Sequence, residues 1–339
     1  MISLKCPNSP KLKPYKVQEL LFSLFRSKIA YQNETQIKNI IAKKDLHVFS
    51  QNLISCNKDI RGRMEKLVTS IVDDMKDSKP IFYDGILNEA NKRDSQGYLL
   101  WKNNTIYVSF RGTYTFNDIY DVINIRPKKF IKNAYVHSGF AEQFMSIEHK
   151  ITNDIKSISK NFPIERLVFT GHSMGGSIAA IASAYYGTLF DNLYITCHTF
   201  GTPLTGNTEF VKWFVNSVDE CTRLELEHDI VPLIPINKDF IHIPNGVRLK
   251  YGGQIDNCYE IIPVSYFDIV MKLCKNRKEE IDYLLFNHSC EQYTENLLSI
   301  KHVKNENEEF RLNSQATIDS ININDILQCE LDFDKNNIK

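Results

Sequence analysis

The first part of the chain repeats apolar residues every three or four positions, the period of an α-helix with one buried face. Three such stripes lie between residues 15 and 75, with polar stretches between them. They predict three helices that pack against a larger core. Their members are Leu20, Leu21, Leu24 and Phe25, then Ile37, Ile40 and Ile41, and finally Met64, Leu67, Val68, Ile71 and Met75.

The period changes after residue 81, where apolar residues gather in short runs typical of β-strands. The segment "GYLLWKNNTIYVSFRGT" predicts two strands joined at Asn103-Asn104, and a helical stripe follows over residues 140–158. Residues 167–169 predict a strand, a helix should stop at Gly187, and residues 194–200 predict another strand. A helix near residues 210–218 and a strand in "TRLELEHDIVPLIP" follow. This alternation favours an α/β fold whose mostly parallel central sheet is flanked by helices.

Small residues surround one serine at the junction of a predicted strand and helix, in "LVFTGHSMGG" (167–176). A nucleophilic serine at such a turn has a strained backbone, which presents its hydroxyl beyond the main chain. Side chains two residues before and after it would collide with the neighbouring strand and helix, and Gly171 and Gly175 remove them. The following helix also directs its first amides toward an oxyanion formed there. The pattern predicts that Ser173 is a nucleophile.

A serine hydroxyl needs a histidine and a carboxylate to take its proton. In this type of fold the acid and then the histidine follow the serine along the chain, each on a loop after a later strand. Asp229 comes at the end of "RLELEHD", and His288 follows an apolar run, so they are the preferred candidates. The competing residues are Asp219 and Glu227 for the acid, and His228, His242 and His302 for the base.

Six blocks of the chain resemble the class 3 lipases of the fungal triacylglycerol lipase type, a family with the α/β-hydrolase fold. They are "YVSFRGT" (107–113), "VHSGF" (136–140), "VFTGHSMGG" (168–176), "TFGTPLTGN" (199–207), "HDIVPLIP" (228–235) and "HSCEQY" (288–293). The resemblance implies that Ser173 is the nucleophile, Asp229 the orienting acid and His288 the base. It also implies an oxyanion hole formed by Thr113 and the amide of Met174, and a supporting role for His137.

Residues 114–132 correspond to the lid in this resemblance. Apolar side chains there would cover the serine in water and turn onto lipid at a surface, and the basic residues after them would meet anionic headgroups. The other interpretation is an ordinary amphipathic packing segment. The predicted lid or substrate-binding residues are Phe116, Ile119, Tyr120 and Ile123. The chain departs from the family at Leu204, where an arginine is common, and in lacking the tryptophan often seen near residues 118–119.

The charge balance gives no attraction to nucleic acid, because 41 Lys and Arg side chains offset 41 Asp and Glu side chains. No window is long and apolar enough to span a bilayer. The first sixteen residues lack a secretory signal pattern, and the eight cysteines show no metal or disulfide spacing. A glycan on the Asn287 sequon would obstruct the site beside it. These observations predict a cytoplasmic location, or one peripheral to intracellular membranes, with reduced thiols.

The chain therefore divides into an N-terminal helical segment (1–80), an α/β-hydrolase lipase domain (81–300) and an acidic, weakly structured tail (301–339). The predicted function is hydrolysis of lipid carboxylic esters through an acyl-enzyme, without metal or cofactor and with transient contact to a lipid surface. A phospholipase and a carboxylesterase for small esters are the nearest alternatives. A catalytically silent lipid-binding or scaffold protein on the same fold is an alternative of another class.

Overall fold

Helices and strands alternate through most of the chain. The computed structural model describes residues 14–43, 58–85, 95–112, 127–235, 239–250, 253–257 and 286–300, all within one compact unit, Met1–Lys304. The helices are α1 (Pro14–Ile29), α2 (Glu34–Lys43), α3 (Lys58–Ser78), α4 (Ser138–Asn161), α5 (Met174–Leu189), α6 (Thr208–Ser217) and α7 (Cys290–Leu298), with a 3-10 turn at Val231–Leu233.

The strands form two sheets. They are β1 (Ile81–Gly85), β2 (Ser95–Lys102), β3 (Thr105–Phe110), β4 (Pro127–Ile131), β5 (Ala134–His137), β6 (Arg166–His172), β7 (Tyr194–Phe200), β8 (Gly206–Asn207), β9 (Glu220–Leu226), β10 (Phe240–Ile241), β11 (Gly246–Lys250) and β12 (Gln254–Asn257). The larger sheet has the order β1-β2-β3-β6-β7-β9-β11-β12, and the smaller one the order β10-β8-β5-β4.

The middle of the larger sheet is parallel, from β3 through β6, β7 and β9 to β11, and both edges are antiparallel. This arrangement confirms the predicted α/β fold with a mostly parallel sheet. The predicted hairpin between β2 and β3 is also present. Asn103 and Asn104 have φ of 49° and 59°, the left-handed conformation that two-residue hairpin turns require.

Helices cover both faces of the larger sheet. Tyr98 and Leu100 of β2 belong to a buried cluster with the apolar stripes of α1, α2, α3 and α7. Leu99, between them, is also buried but points to the opposite face, where α4 and α5 pack. The domain boundaries stay predictions, and the predicted tail (301–339) lies outside the described residues.

The predicted helix end at Gly187 is wrong, because α5 continues to Leu189. A Cβ at Gly187 would lie 1.8 Å from the carbonyl oxygen of Ser217, at the end of α6. This glycine therefore allows α5 and α6 to approach closely and does not stop the helix. Among the described residues, no helix has the length and apolar character needed to cross a membrane.

A charged cluster lies where α1 packs beside the amino-terminal ends of β6 and β9. Arg166 Nη2 donates to Glu19 Oε1 at 2.6 Å and to Glu220 Oε2 at 2.9 Å. Lys16 contacts the same two carboxylates, and its Nζ lies 2.9 Å from His198 Nε2. Burial alone would raise the pKa of the Glu19 carboxyl, but His198, Lys16 and Arg166 outweigh it and lower this pKa to about 2.

Candidate active site

Ser173 lies in the turn between β6 and α5, with φ 60° and ψ −134°. Its amide donates to the carbonyl oxygen of Phe200 at 2.8 Å, and the residue is buried. A Cβ at Gly171 would lie 2.1 Å from the backbone of Gly175, and a Cβ at Gly175 would lie 2.4 Å from Phe110 O. These distances agree with the role proposed for the two glycines, because a side chain at either would force the turn apart.

The Ser173 side chain occupies the N-cap position of α5 but makes no capping hydrogen bond to that helix. Serine at an N-cap usually accepts a backbone hydrogen bond there. The amide of Met174, the first residue of α5, directly follows the hydroxyl-bearing residue. Gly112 lies against the same turn, since a Cβ there would be 3.0 Å from Ser173 Cβ. Thr113, the other predicted oxyanion donor, lies outside the described residues.

Asp229 and His288 form a buried pair. His288 Nδ1 lies 2.8 Å from Asp229 Oδ2, and the two residues are separated by 59 positions in the chain. Since a carboxylate only accepts, Nδ1 carries the proton and Nε2 of the neutral ring is left as an acceptor. Nε2 is buried and has no hydrogen-bond partner among the described residues. An unprotonated, unoccupied Nε2 is what a general base needs.

Two further groups hold the carboxylate in place. Tyr293 Oη donates to Asp229 Oδ2 at 2.6 Å, and the amide of Val231 donates to Oδ1 at 2.9 Å. Tyr293 is fully buried in α7, which begins two residues after His288. No sequence pattern singles out this tyrosine as a site residue, although it lies in the block "HSCEQY" (288–293).

Gly201 connects this pair to the serine turn. It follows Phe200, whose carbonyl accepts from Ser173, and it has φ +56°. A Cβ on Gly201 would lie 2.7 Å from Asp229 Oδ2 and 2.9 Å from His288 Nδ1. The described residues include no hydrogen bond between Ser173 Oγ and His288 Nε2. The acid and base are thus paired beside the serine turn, while the last hydrogen bond of a triad is not formed.

His172, directly before the serine, contacts the loop that carries His288. Its Nε2 lies 2.7 Å from the backbone oxygen of His288, and the two rings lie 4.5 Å apart between centroids. Tyr31 Oη lies 2.9 Å from Nδ1 of His172. Burial lowers the pKa of His172 well below its usual value, and the neighbouring His288 lowers it further. Tyr31 was not predicted as a site residue, because its position after α1 carries no local pattern that signals a site.

The competing residues have other partners. His242 Nε2 lies 2.8 Å from the Pro232 carbonyl, and His228 lies 3.9 Å from the neighbouring Glu227. Asp219 accepts from the amide of Ile195, at the opposite end of the parallel strands. The remaining competitor, His302, lies outside the described residues.

His137 caps α4 by accepting from the amide of Gly139 at 3.1 Å, and its ring stacks on Phe140. Leu204, where the family often has arginine, is buried, and its amide donates to the Ile234 carbonyl at 2.8 Å. A backbone hydrogen bond therefore connects this segment to the loop after Asp229.

The lid predicted over residues 114–132 is too long. Its last residues form the exposed strand β4, which pairs with β5, so they belong to the smaller sheet. The predicted lid or substrate-binding residues Phe116, Ile119, Tyr120 and Ile123 lie outside the described residues.

Comparison with known proteins shows which family the chain resembles. Residues 107–238 match the family described as "Lipase (class 3)". The chain is 26% identical to a lipase of Rhizomucor miehei over 183 residues (51% of this chain, 48% of that protein). It is 30% identical to a lipase of Rhizopus niveus over 190 residues (54% and 47%). It is 27% identical to "Secreted mono- and diacylglycerol lipase 1" of Fusarium solani over 183 residues (53% and 54%). The chain thus spans about half the length of these relatives.

Solved structures agree on the fold. The Rhizomucor miehei triacylglyceride lipase superposes with a TM-score of 0.52 and 19% identity, over 72% of this chain and 82% of that one. The lipase from Rhizopus microsporus var. chinensis gives a TM-score of 0.51 and 20% identity, over 77% and 84%. The fold is that of the α/β-hydrolases. The matched part of the chain is similar to the class 3 lipases of fungal type.

The predicted cytoplasmic or intracellular membrane location is wrong, since two relatives of this chain are named as secreted lipases. The observations behind that prediction have another cause. Cys197, Cys221 and Cys290 are buried, and burial raises the pKa of the last two, so these thiols can stay reduced in an oxidising medium. Asn287 is buried as well, so the folded protein leaves no room for a glycan on its sequon.

Proposed function

We propose that the protein is an extracellular serine hydrolase that cleaves carboxylic ester bonds of acylglycerols. The pairing of His288 with Asp229 beside the strained turn of Ser173 carries this proposal, because it leaves one imidazole nitrogen without a partner. The substrate class rests on the relatives, whose names include a triacylglyceride lipase and a mono- and diacylglycerol lipase.

In the proposed reaction, Ser173 Oγ attacks the ester carbonyl carbon while His288 Nε2 takes the hydroxyl proton. Asp229 stabilises the imidazolium through Nδ1. The oxyanion accepts from the amide of Met174 and from the amide and hydroxyl of Thr113. When the carbonyl re-forms, the alcohol leaves with the proton from His288. Water, deprotonated by His288, then attacks the acyl-enzyme, which releases the fatty acid and restores the Ser173 hydroxyl.

The proposed substrate surface is the segment with Phe116, Ile119, Tyr120 and Ile123, which would contact acyl chains and the lipid surface. If this segment covers the serine in water and moves aside at a lipid surface, the rate should rise sharply once the ester exceeds its solubility and forms droplets. A linear dependence of rate on ester concentration through that point would contradict this part of the proposal.

Hydrolysis of an acylglycerol emulsion, phospholipid vesicles and soluble p-nitrophenyl butyrate tests the function. The comparison uses the wild type, Ser173→Ala and the control Ser183→Ala, which removes a buried hydroxyl bonded within α5. We expect Ser173→Ala to lose at least about 10³-fold in kcat, and Ser183→Ala to keep its rate. Preferred cleavage of phospholipids would overturn the acylglycerol assignment. A folded wild type inactive on all three substrates would favour the silent lipid-binding protein.

A further inference from the structure

His172 is the last residue of β6 and directly precedes the proposed nucleophile Ser173, and its side chain does not take part in the proposed proton transfers. It is buried, and it bridges two segments that are distant in sequence, the turn after α1 and the histidine loop before α7. Nδ1 of His172 contacts the Tyr31 hydroxyl, and Nε2 contacts the backbone oxygen of His288. These two partners determine which ring nitrogen of His172 carries the proton.

The backbone oxygen of His288 can only accept, so His172 Nε2 donates to it. In the neutral ring Nδ1 is then an acceptor, and the Tyr31 hydroxyl donates to it. The titratable groups that face His172 are Tyr31, His288 and Tyr293, whose ring lies 5.8 Å away. None of these groups supplies a negative charge that would favour a second imidazolium beside His288.

We propose that His172 is a positioning residue for the base: its Nε2–H fixes the backbone of His288 relative to the serine turn, and the Tyr31 hydroxyl selects the tautomer that makes this possible. The inference rests on the proposed function. It assigns the N-terminal helical segment a part in catalysis, since Tyr31 follows α1 and reaches the site through one intermediate side chain. It also gives a reason for a histidine directly before the nucleophile.

The test compares kcat and KM on soluble p-nitrophenyl butyrate. We expect His172→Phe to lower kcat by about 10- to 100-fold with KM nearly unchanged, because an imidazole displaced by up to about 1 Å transfers the proton poorly. His172→Gln should recover part of that loss, because its amide can donate to the same carbonyl. Tyr31→Phe should lower kcat by about three- to tenfold, because both neutral tautomers of His172 become accessible. Tyr98→Phe, which also removes a buried hydroxyl hydrogen bond, should leave kcat unchanged.

Thermal unfolding of each variant separates positioning from stability. Activity lost only in proportion to the unfolded fraction would overturn the proposal. So would equal kcat for His172→Phe and wild type, or no recovery in His172→Gln. These outcomes are distinct from failure of the proposed function, in which the wild type itself does not cleave the ester or Ser173→Ala remains active.

Discussion

Replacing Gly201 by alanine is expected to lower the rate of ester hydrolysis strongly without preventing the protein from folding. The backbone at Gly201 has φ +56°, where alanine costs about 1–2 kcal/mol. The added Cβ would also lie 2.7 Å from Asp229 Oδ2 and 2.9 Å from two atoms of the His288 ring, against an ordinary contact of 3.4–4 Å. The pair must therefore move by about 0.5–1 Å, and a displacement of that size costs up to about 100-fold in rate.

The assay is kcat for p-nitrophenyl butyrate, together with the free energy of unfolding from urea titration. Gly62→Ala is the matched control, because a Cβ at this position in α3 meets nothing within 4 Å. We expect the control to keep full activity and to gain about 0.5–1 kcal/mol in stability. Wild-type kcat in Gly201→Ala would refute the argument that the acid and base depend on the absent side chain.

Three other predictions concern the same network and the charged cluster. Tyr293→Phe should lower the free energy of unfolding by about 1.5–3 kcal/mol in urea titration, because Asp229 loses a charge-assisted hydrogen bond. A decrease in this free energy no larger than that of Tyr98→Phe would contradict the prediction. Burial lowers the pKa of three histidines well below 6.5, so below about pH 6 the unfolded chain binds more protons than the folded chain. The free energy of unfolding should therefore decrease below about pH 6, by up to about 4 kcal/mol per pH unit. A urea midpoint that stays constant from pH 7 to pH 5 would contradict this prediction. These histidines are His172, His198 and His242. The pKa of the Glu19 carboxyl is about 2 in the folded protein, against a usual value of 4.5. Its contribution of about 3 kcal/mol to the free energy of unfolding is therefore present above pH 4.5 and is lost as the pH falls toward 2. The difference in this free energy between the wild type and Glu19→Gln should shrink over that range.

The parallel core of the fold was predictable because its strands are continuous apolar runs with clear ends. The strand predicted over residues 194–200 coincides with β7, and the hairpin turn at Asn103 and Asn104 follows from the residues that tolerate positive φ. The short strands β8, β10 and β12 have two to four residues each, and partners distant in sequence define them. A local pattern does not contain that information.

The serine turn was predictable from the sequence for a steric reason, since glycines at 171 and 175 are needed wherever a strand turns sharply into a helix at a nucleophile. Chain order and strand ends point to the acid and the base, and the structure pairs those two residues. Their catalytic roles stay proposals. Tyr31, His172 and Tyr293 make hydrogen bonds between segments that are distant in sequence, so only the folded chain brings them to this site.

Reaction with a fluorophosphonate, followed by intact mass and peptide mapping, measures whether Ser173 is an activated nucleophile. Only a serine activated by a neighbouring base reacts quickly with such a probe. We expect one phosphonyl group per chain, located on Ser173. The group should be absent from Ser173→Ala, and its formation should be strongly slowed in His288→Ala. Rapid labelling at another residue, or a folded wild type that stays unlabelled, would contradict this expectation.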